Sequence, residues 1–211
     1  MTCVVGLVDG GIVHMGGDDI ITAEADLVQT GASKVVKYPS GLVVGFAGSL
    51  ATSNILARPD GDFVKLLKGL DSDADVNKAF DFLQGVANFQ LKGAGDTQFW
   101  ALVLLAMGPT LVCMGNAAGW HRVKDFRCIG AGSKVATGAM TVLARVDATP
   151  RRRLEAAIEA ASIHVPGVGR MTSYETTEVV VSQAPSAPTA TAGSGSPAAP
   201  PAPVPPTSTV P

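Results

Sequence analysis

Residues 1–18 have the sequence MTCVVGLVDGGIVHMGGD, in which two apolar runs are separated by an acidic residue and two glycines. Valine and isoleucine favour strands, and an Asp-Gly pair between such runs is a strong signal of a two-stranded hairpin. The segment therefore predicts that Cys3–Val8 and Ile12–Met15 are paired strands on either side of a tight turn.

The N-terminus also has the parts of a nucleophile, because Thr2 directly follows Met1. Methionine is readily trimmed before a small residue, so we expect the mature chain to begin at Thr2. Its hydroxyl and a free α-amine would then belong to one residue, and an α-amine with a pKa of about 7.7–8.0 is partly neutral near pH 7. A hydroxyl beside such a base is an activated nucleophile that needs no histidine. The alternative is an ordinary N-terminus, since many cytosolic proteins begin with Met-Thr.

Composition narrows the class of protein. The 211 residues have a mean hydropathy of +0.29 and only 16% charged residues, which is enough apolar material for a large core. The net charge of −2 argues against nucleic acid or an anionic membrane as the main partner. No segment resembles a signal peptide, and no apolar run reaches about 18 residues. Three cysteines in apolar runs without CxxC spacing predict reduced, buried thiols in a cytoplasmic protein: Cys3, Cys113 and Cys128.

The rest of the chain alternates strand-like and helix-like segments. Turn residues and apolar runs predict further strands at Lys34–Tyr38, Leu42–Ala47, Gln98–Ala106, Pro109–Met114, Gly119–Val123, Phe126–Ile129 and Thr177–Ser182. Helical spacing predicts helices at Leu50–Leu56, at Val76–Ala87 behind an N-cap at Asp73 or Asp75, at Val135–Val146, and after Thr149-Pro150.

Strands that are apolar along their whole length predict sheets covered on both faces. With helical blocks between the strand blocks, the simplest solution is an α+β fold, a four-layer αββα sandwich of two stacked, mainly antiparallel sheets with helices outside. Residues 184–211 differ, since they contain no charged and no aromatic residue and are rich in Pro, Ala, Ser and Thr. Such a segment cannot bury enough surface to offset its ordering entropy. We therefore predict one domain over residues 2–183 and a disordered tail over residues 184–211.

Five features, taken in order, resemble the N-terminal nucleophile hydrolases, specifically HslV and the proteasome β-subunits. Thr2 opens the first strand, Gly16-Gly17-Asp18 ends the second, and Ser33-Lys34-Val35 begins the third. The stretch GFAGS at residues 45–49 ends the fourth strand, and CIGAGS at residues 128–133 resembles the family's Gly-Ser-Gly turn between a strand and a helix. The resemblance covers nearly all of residues 2–183.

The resemblance implies a threonine-type peptidase with catalytic residues Thr2, Asp18, Lys34 and Gly48. Thr2 would be the nucleophile and its α-amine the base, Lys34 would stabilise negative charge, Asp18 would hold Lys34, and the Gly48 N–H would bind an oxyanion. A supporting turn would consist of Gly130, Ala131, Gly132 and Ser133. The resemblance further implies a peptide or unfolded protein as substrate, a homo-oligomeric ring, an AAA+ ATPase unfoldase as partner, a cytoplasmic location, and no cofactor.

The chain departs from the family at three places. The family's central turn serine, which relays protons beside the N-terminal amine, is replaced by Ala131. Arg58-Pro59-Asp60-Gly61 interrupts a helix that is long in HslV and helps to pack its ring. The segment at residues 162–167 lacks the side chains of the HslV sodium loop, so we assign no metal.

Two functions therefore stay open, a threonine peptidase and a catalytically silent relative that uses the fold for assembly. Single residues also have simpler interpretations. Asp18 and Asp19 fit turn acids after a glycine pair. Lys34 fits an edge-strand charge that discourages aggregation, and Gly48 fits a helix-entry glycine. The intact set Thr2, Asp18, Lys34 and Gly48 favours the enzyme, whereas Ala131 favours the silent relative.

Overall fold

The computed structural model describes residues 1–23, 26–29, 33–48, 67, 69–94, 101–115 and 119–177. Within these ranges the chain forms three helices, α1 (Asp73–Ala94), α2 (Ser133–Leu143) and α3 (Pro150–His164). It also forms eleven strands: β1 (Val4–Asp9), β2 (Ile12–Asp18), β3 (Ile20–Ala23), β4 (Asp26–Gln29), β5 (Val35–Lys37), β6 (Val43–Gly48), β7 (Ala101–Met107), β8 (Thr110–Gly115), β9 (Gly119–Val123), β10 (Phe126–Ile129) and β11 (Met171–Thr176).

The first sheet has the order β10-β1-β2-β11, and all its pairs are antiparallel. The β1–β2 hairpin turns at Gly10 and Gly11, whose φ angles of 58° and 80° are open to glycine at no steric cost. The hairpin register places Val4 opposite Gly17. The start of β1 and the end of β2 therefore lie side by side, at one end of the two inner strands of this sheet.

The second sheet has the antiparallel order β5-β6-β7-β8-β9, and β3 and β4 form a separate hairpin. Valine and leucine dominate β6 to β8, and nearly all their described side chains are buried. Such strands require cover on both faces of the sheet. The two sheets supply part of that cover to each other, through a cluster that includes Val4, Met15, Val43, Leu104, Leu111 and Ile129.

Helices cover the outer faces. Leu154 and Ile158 of α3 and Met140 of α2 are fully buried against the first sheet. Val76 and Ala79 of α1 are fully buried against the second sheet. The result is an α+β sandwich with helices outside two antiparallel sheets, which confirms the predicted fold class. Residues Met1–Val179 form one compact unit.

The N-cap of α1 was predicted at the wrong residue. Ser72 is the cap, because its hydroxyl accepts the Asp75 N–H at 3.2 Å, and α1 continues to Ala94. Ser72 precedes the apolar periodicity by four positions, so the nearer aspartates matched the pattern better. The N-cap predicted for α3 is confirmed, since the Thr149 hydroxyl accepts the Arg152 N–H at 3.4 Å.

The strand β11, Met171–Thr176, was not predicted, and the strand predicted at Thr177–Ser182 lies outside the described residues beyond Thr177. Its sequence MTSYET is largely polar because it is an edge strand, so it lacks the apolar run that marked the prediction. Several predictions fall outside the described residues: the helix at Leu50–Leu56, the break at Arg58–Gly61, and the tail at residues 184–211. Within the described part of the chain, no helix is both long and apolar enough to cross a membrane.

Candidate active site

The candidate site lies where β1 begins and β2 ends. The Asp18 N–H donates to the Cys3 carbonyl oxygen at 3.1 Å, and the Cys3 N–H donates to Asp18 Oδ1 at 2.8 Å. The backbone on the C-terminal side of Thr2 is therefore fixed to both the main chain and the carboxylate of Asp18. This arrangement follows from the hairpin register, which brings the second and third residues of the chain to the end of β2.

Lys34 precedes β5 and reaches the same point with its ammonium group. Its Nζ donates to Asp18 Oδ1 at 2.9 Å, to the Met1 carbonyl at 3.1 Å and to the Ile20 carbonyl at 2.5 Å. A lysine ammonium has three donors, so all three are engaged. The Lys34 side chain is only 5% exposed and that of Asp18 is fully buried, which makes the pair a buried ion pair and not an edge-strand charge.

Burial and the Asp18 charge oppose each other at both amino groups of the site, and the net effect lowers the pKa of each. Burial lowers the pKa of Lys34, while the hydrogen bond and charge of Asp18, together with the charge of Asp19, act to raise it. Burial and the nearby Lys34 charge lower the pKa of the Met1 α-amine, and Asp18 opposes them. An amine at this position therefore has a larger neutral fraction near pH 7 than an ordinary α-amine.

Asp18 is also held from the far end of the chain. Its Oδ2 accepts the Gly169 N–H at 3.0 Å, and the Ser173 hydroxyl donates to the Gly17 carbonyl at 3.1 Å. The carboxylate thus receives two backbone N–H groups and one ammonium. Groups that accept several charge-assisted bonds in a buried position are tightly oriented.

The glycine-rich turn before α2 contacts the backbone carbonyl of Thr2. The Gly132 N–H donates to the Thr2 carbonyl at 3.1 Å. Gly130 has a φ of 92°, and a Cβ there would stand 2.2 Å from the Thr2 carbonyl oxygen. Only glycine fits a position that is both left-handed and this close to backbone. Ala131 is exposed, and the Ser133 N–H donates to the Gly130 carbonyl at 3.1 Å.

Gly48 ends β6 in a φ of 138°, a region that residues with side chains avoid, and it is exposed. The Phe46 N–H donates to the Lys34 carbonyl at 3.1 Å, so the end of β6 runs beside the segment that carries Lys34. Gly48 lies two residues further along that strand.

The structure thus brings Thr2, Asp18 and Lys34 together with Gly130 and Gly132. Sequence reasoning missed Gly169, the Ile20 carbonyl and the buried side chain of Asp19. A backbone N–H or carbonyl can come from almost any residue type, so the sequence does not mark which backbone groups contact the site. The one feature of the sequence near Gly169 is the Gly167-Val168-Gly169 pattern.

Other candidate groups lie elsewhere. His14 Nδ1 is 2.7 Å from the Tyr174 hydroxyl, whereas His121 and His164 are exposed. The three cysteines are free and buried, as predicted. Among the described residues, no three His, Cys, Asp or Glu side chains are grouped as metal ligands.

Neither a protein-family model nor a curated protein matches the chain. Solved structures do. BPH of Thiobacillus denitrificans is 19% identical, with a TM-score of 0.66 over 82% of this chain and 95% of that one. The same protein in complex with Epoxomicin gives 16% identity and a TM-score of 0.62, with 82% and 96% covered. Eukaryotic HslV from Trypanosoma brucei gives 16% identity and a TM-score of 0.63, with 82% and 98% covered. At these identities the likeness establishes the fold.

Proposed function

We propose that this chain, which has the fold of the HslV-like N-terminal nucleophile hydrolases, is a threonine-type peptidase or amidohydrolase. The observation that carries the proposal is the buried Asp18–Lys34 pair, which contacts the backbone on both sides of Thr2. Lys34 Nζ binds the carbonyl of Met1 and Asp18 Oδ1 binds the N–H of Cys3. A buried ion pair is costly to maintain, and here its backbone contacts flank one residue, Thr2, whose side chain carries a hydroxyl.

In the proposed reaction, removal of Met1 exposes the α-amine of Thr2 and frees the Lys34 donor that the Met1 carbonyl holds. The Thr2 hydroxyl then attacks the carbonyl carbon of a peptide bond while the α-amine takes the hydroxyl proton. Lys34 stabilises the negative charge on the attacking oxygen and biases the amine toward its neutral form.

The attack produces a tetrahedral intermediate whose oxyanion the Gly48 N–H accommodates. Collapse of this intermediate breaks the C–N bond, and the leaving amine takes the proton held by the α-amine. An acyl ester on Thr2 remains. Water activated by the same α-amine opens the ester and regenerates the hydroxyl.

A second candidate function is a catalytically silent assembly protein, and one observation favours it. Ala131 is exposed at the turn beside Thr2 and has no hydroxyl, where the related enzymes have the relay serine. Positioned acid–base groups contribute about 10²–10⁴-fold, so the loss of one relay group permits a slow enzyme as well as an inert one.

We further propose a homo-oligomeric ring in the cytoplasm that acts on peptides or unfolded proteins, with an AAA+ ATPase unfoldase as partner. Support comes from large apolar side chains on the outer helices, where Val142 is 65% and Ile163 is 70% exposed. Sedimentation analysis tests the assembly, and a stable monomer at micromolar concentration would argue against it.

The decisive experiment is intact-mass spectrometry with Epoxomicin, the compound present in one BPH structure. We expect the purified protein to lack the mass of Met1 and to gain one molecule of the probe. Thr2→Ala should gain none, and Lys34→Ala should gain little. Lys124→Ala, which removes an exposed lysine, is the matched control and should react like the unmodified protein. Retention of Met1 on reactive protein would rule out the α-amine as base, and no adduct on intact assemblies would favour the silent scaffold.

A further inference from the structure

Two successive acids end β2, and both are buried, Asp18 fully and Asp19 to 8% exposure. The proposed reaction uses only Asp18. A carboxylate is seldom buried unless a charge or several hydrogen bonds compensate its lost hydration. The proposed reaction gives Asp19 no role, although its side chain is buried beside the site.

Lys34 contacts both sequence neighbours of Asp19. Its Nζ contacts the carboxylate of Asp18 and the backbone carbonyl of Ile20, the residues on either side of Asp19. Gly169 lies against the same pair of acids, since its N–H binds Asp18 Oδ2 at 3.0 Å and a Cβ on it would stand 2.8 Å from Asp19 Oδ1. Both carboxylates thus lie against Gly169, and Lys34 binds the residues on either side of Asp19.

The Lys34 ammonium is buried among several titratable groups. The described titratable groups that act on Lys34 are Asp18, Asp19, the Cys3 thiol and the N-terminal amine. Lys34 is a buried cation with one directly bound carboxylate, that of Asp18, which also accepts two backbone N–H groups. A second carboxylate nearby favours the charged form of Lys34 in a region where little water screens the attraction.

We propose that Asp19 is the second counter-ion of the site, a positioning residue that keeps the Lys34 ammonium charged and in place beside the N-terminal amine. The effect of Asp19 on catalysis rests on the proposed function, whereas the effect of Asp19 on the charge of Lys34 does not. In this arrangement Asp18 orients Lys34 by direct contact, and Asp19 supplies the charge that offsets its burial.

The test is an NMR titration of Lys34 in protein with isotope-labelled lysine, assigned with Lys34→Arg. Asp19→Asn should lower the pKa of Lys34 by about one pH unit or more. Asp147→Asn removes an exposed aspartate and should leave the pKa of Lys34 unchanged. Asp19→Glu keeps the carboxylate and should leave the pKa of Lys34 close to its original value. An unchanged Lys34 titration in folded Asp19→Asn would overturn the proposal.

If Asp19→Asn does not fold, Gly169→Ala provides the second route, because its methyl group would stand 2.8 Å from Asp19 Oδ1 and 2.7 Å from Ile20 Cγ1 and would displace both side chains. It should shift the pKa of Lys34 in the same direction by a smaller amount, and no shift would again refute the proposal. Where hydrolysis is measurable, the alkaline limb of kcat/KM in Asp19→Asn should move to lower pH. A protein that hydrolyses nothing refutes the peptidase while the lysine titration still decides the role of Asp19.

Discussion

Gly130→Ala tests the contact between the glycine-rich turn and the N-terminal residue. The new Cβ would stand 2.2 Å from the Thr2 carbonyl oxygen, whereas ordinary contact begins at 3.4 Å. The oxygen is backbone and is held by the Gly132 N–H, so it cannot yield as a flexible side chain would. Thr2 must move by about 1 Å, and the left-handed φ of 92° adds its own cost of about 1–2 kcal/mol.

Overpacking of this kind costs about 1–3 kcal/mol in addition to the backbone strain, so we expect a total loss near 3 kcal/mol. In a domain of this size that corresponds to a Tm lower by about 6–12 °C. If the protein is a peptidase, a nucleophile displaced by about 1 Å should also lose about 10²-fold in kcat.

The assay is thermal unfolding followed by circular dichroism, with Gly138→Ala as the matched control. Gly138 lies exposed within α2, and a Cβ there would meet nothing within 4 Å. Alanine should stabilise that helix position by about 0.5–1 kcal/mol. A glycine-to-alanine change should therefore lower the stability of the domain at Gly130 and raise it at Gly138. A Gly130→Ala protein that melts within about 2 °C of the unmodified protein would refute the contact as described.

Three further outcomes are expected. Ala131→Ser should raise the rate of peptide amide cleavage by about 10²-fold if the chain is a peptidase with a missing relay group, and should change nothing in a silent scaffold. Burial raises the pKa of the Cys128 thiol to about 11, so the unfolded chain loses this proton at lower pH than the folded one. Stability should therefore fall above pH 9 by about 1.4 kcal/mol per pH unit for this thiol, and urea unfolding of Cys128→Ala should show a shallower loss between pH 9 and 10.5. Thr177→Val should destabilise the domain by about 1–3 kcal/mol in urea unfolding, because the hydroxyl accepts the Val13 N–H and donates to the Gly108 carbonyl; an unchanged midpoint would contradict that bridge.

Local signals made much of the fold predictable. Strong turn residues delimit the β1–β2 hairpin, and β9 and β10 have the predicted bounds. The β3–β4 hairpin was missed because no Gly, Pro or Asn occurs between Ile20 and Gln29 to mark a turn. Edge strands such as β11 bury little and so lose the apolar pattern on which such predictions depend.

The candidate site also has a part that the sequence predicted and a part that it did not. Asp18 and Lys34 were predicted from motifs near the N-terminus, and the structure places them 2.9 Å apart. Gly169 contributes only a backbone N–H, and it contacts a residue 151 positions earlier. Neither local propensity nor periodicity carries information over that separation, so only the tertiary structure shows the contact.

That long separation also sets the order in which the site can form. The β1–β2 hairpin requires only residues 4–18, but its neighbours β10 and β11 come from residues 126–129 and 171–176. Pairings so distant in sequence are slow, since loop closure precedes any gain from contact. During synthesis the first residues of the chain therefore wait for almost the whole domain before Gly132 and Gly169 reach them. Thr2 and Lys34 gain their full set of contacts only in the completed domain, and a partly made chain holds Thr2 without the groups that orient it.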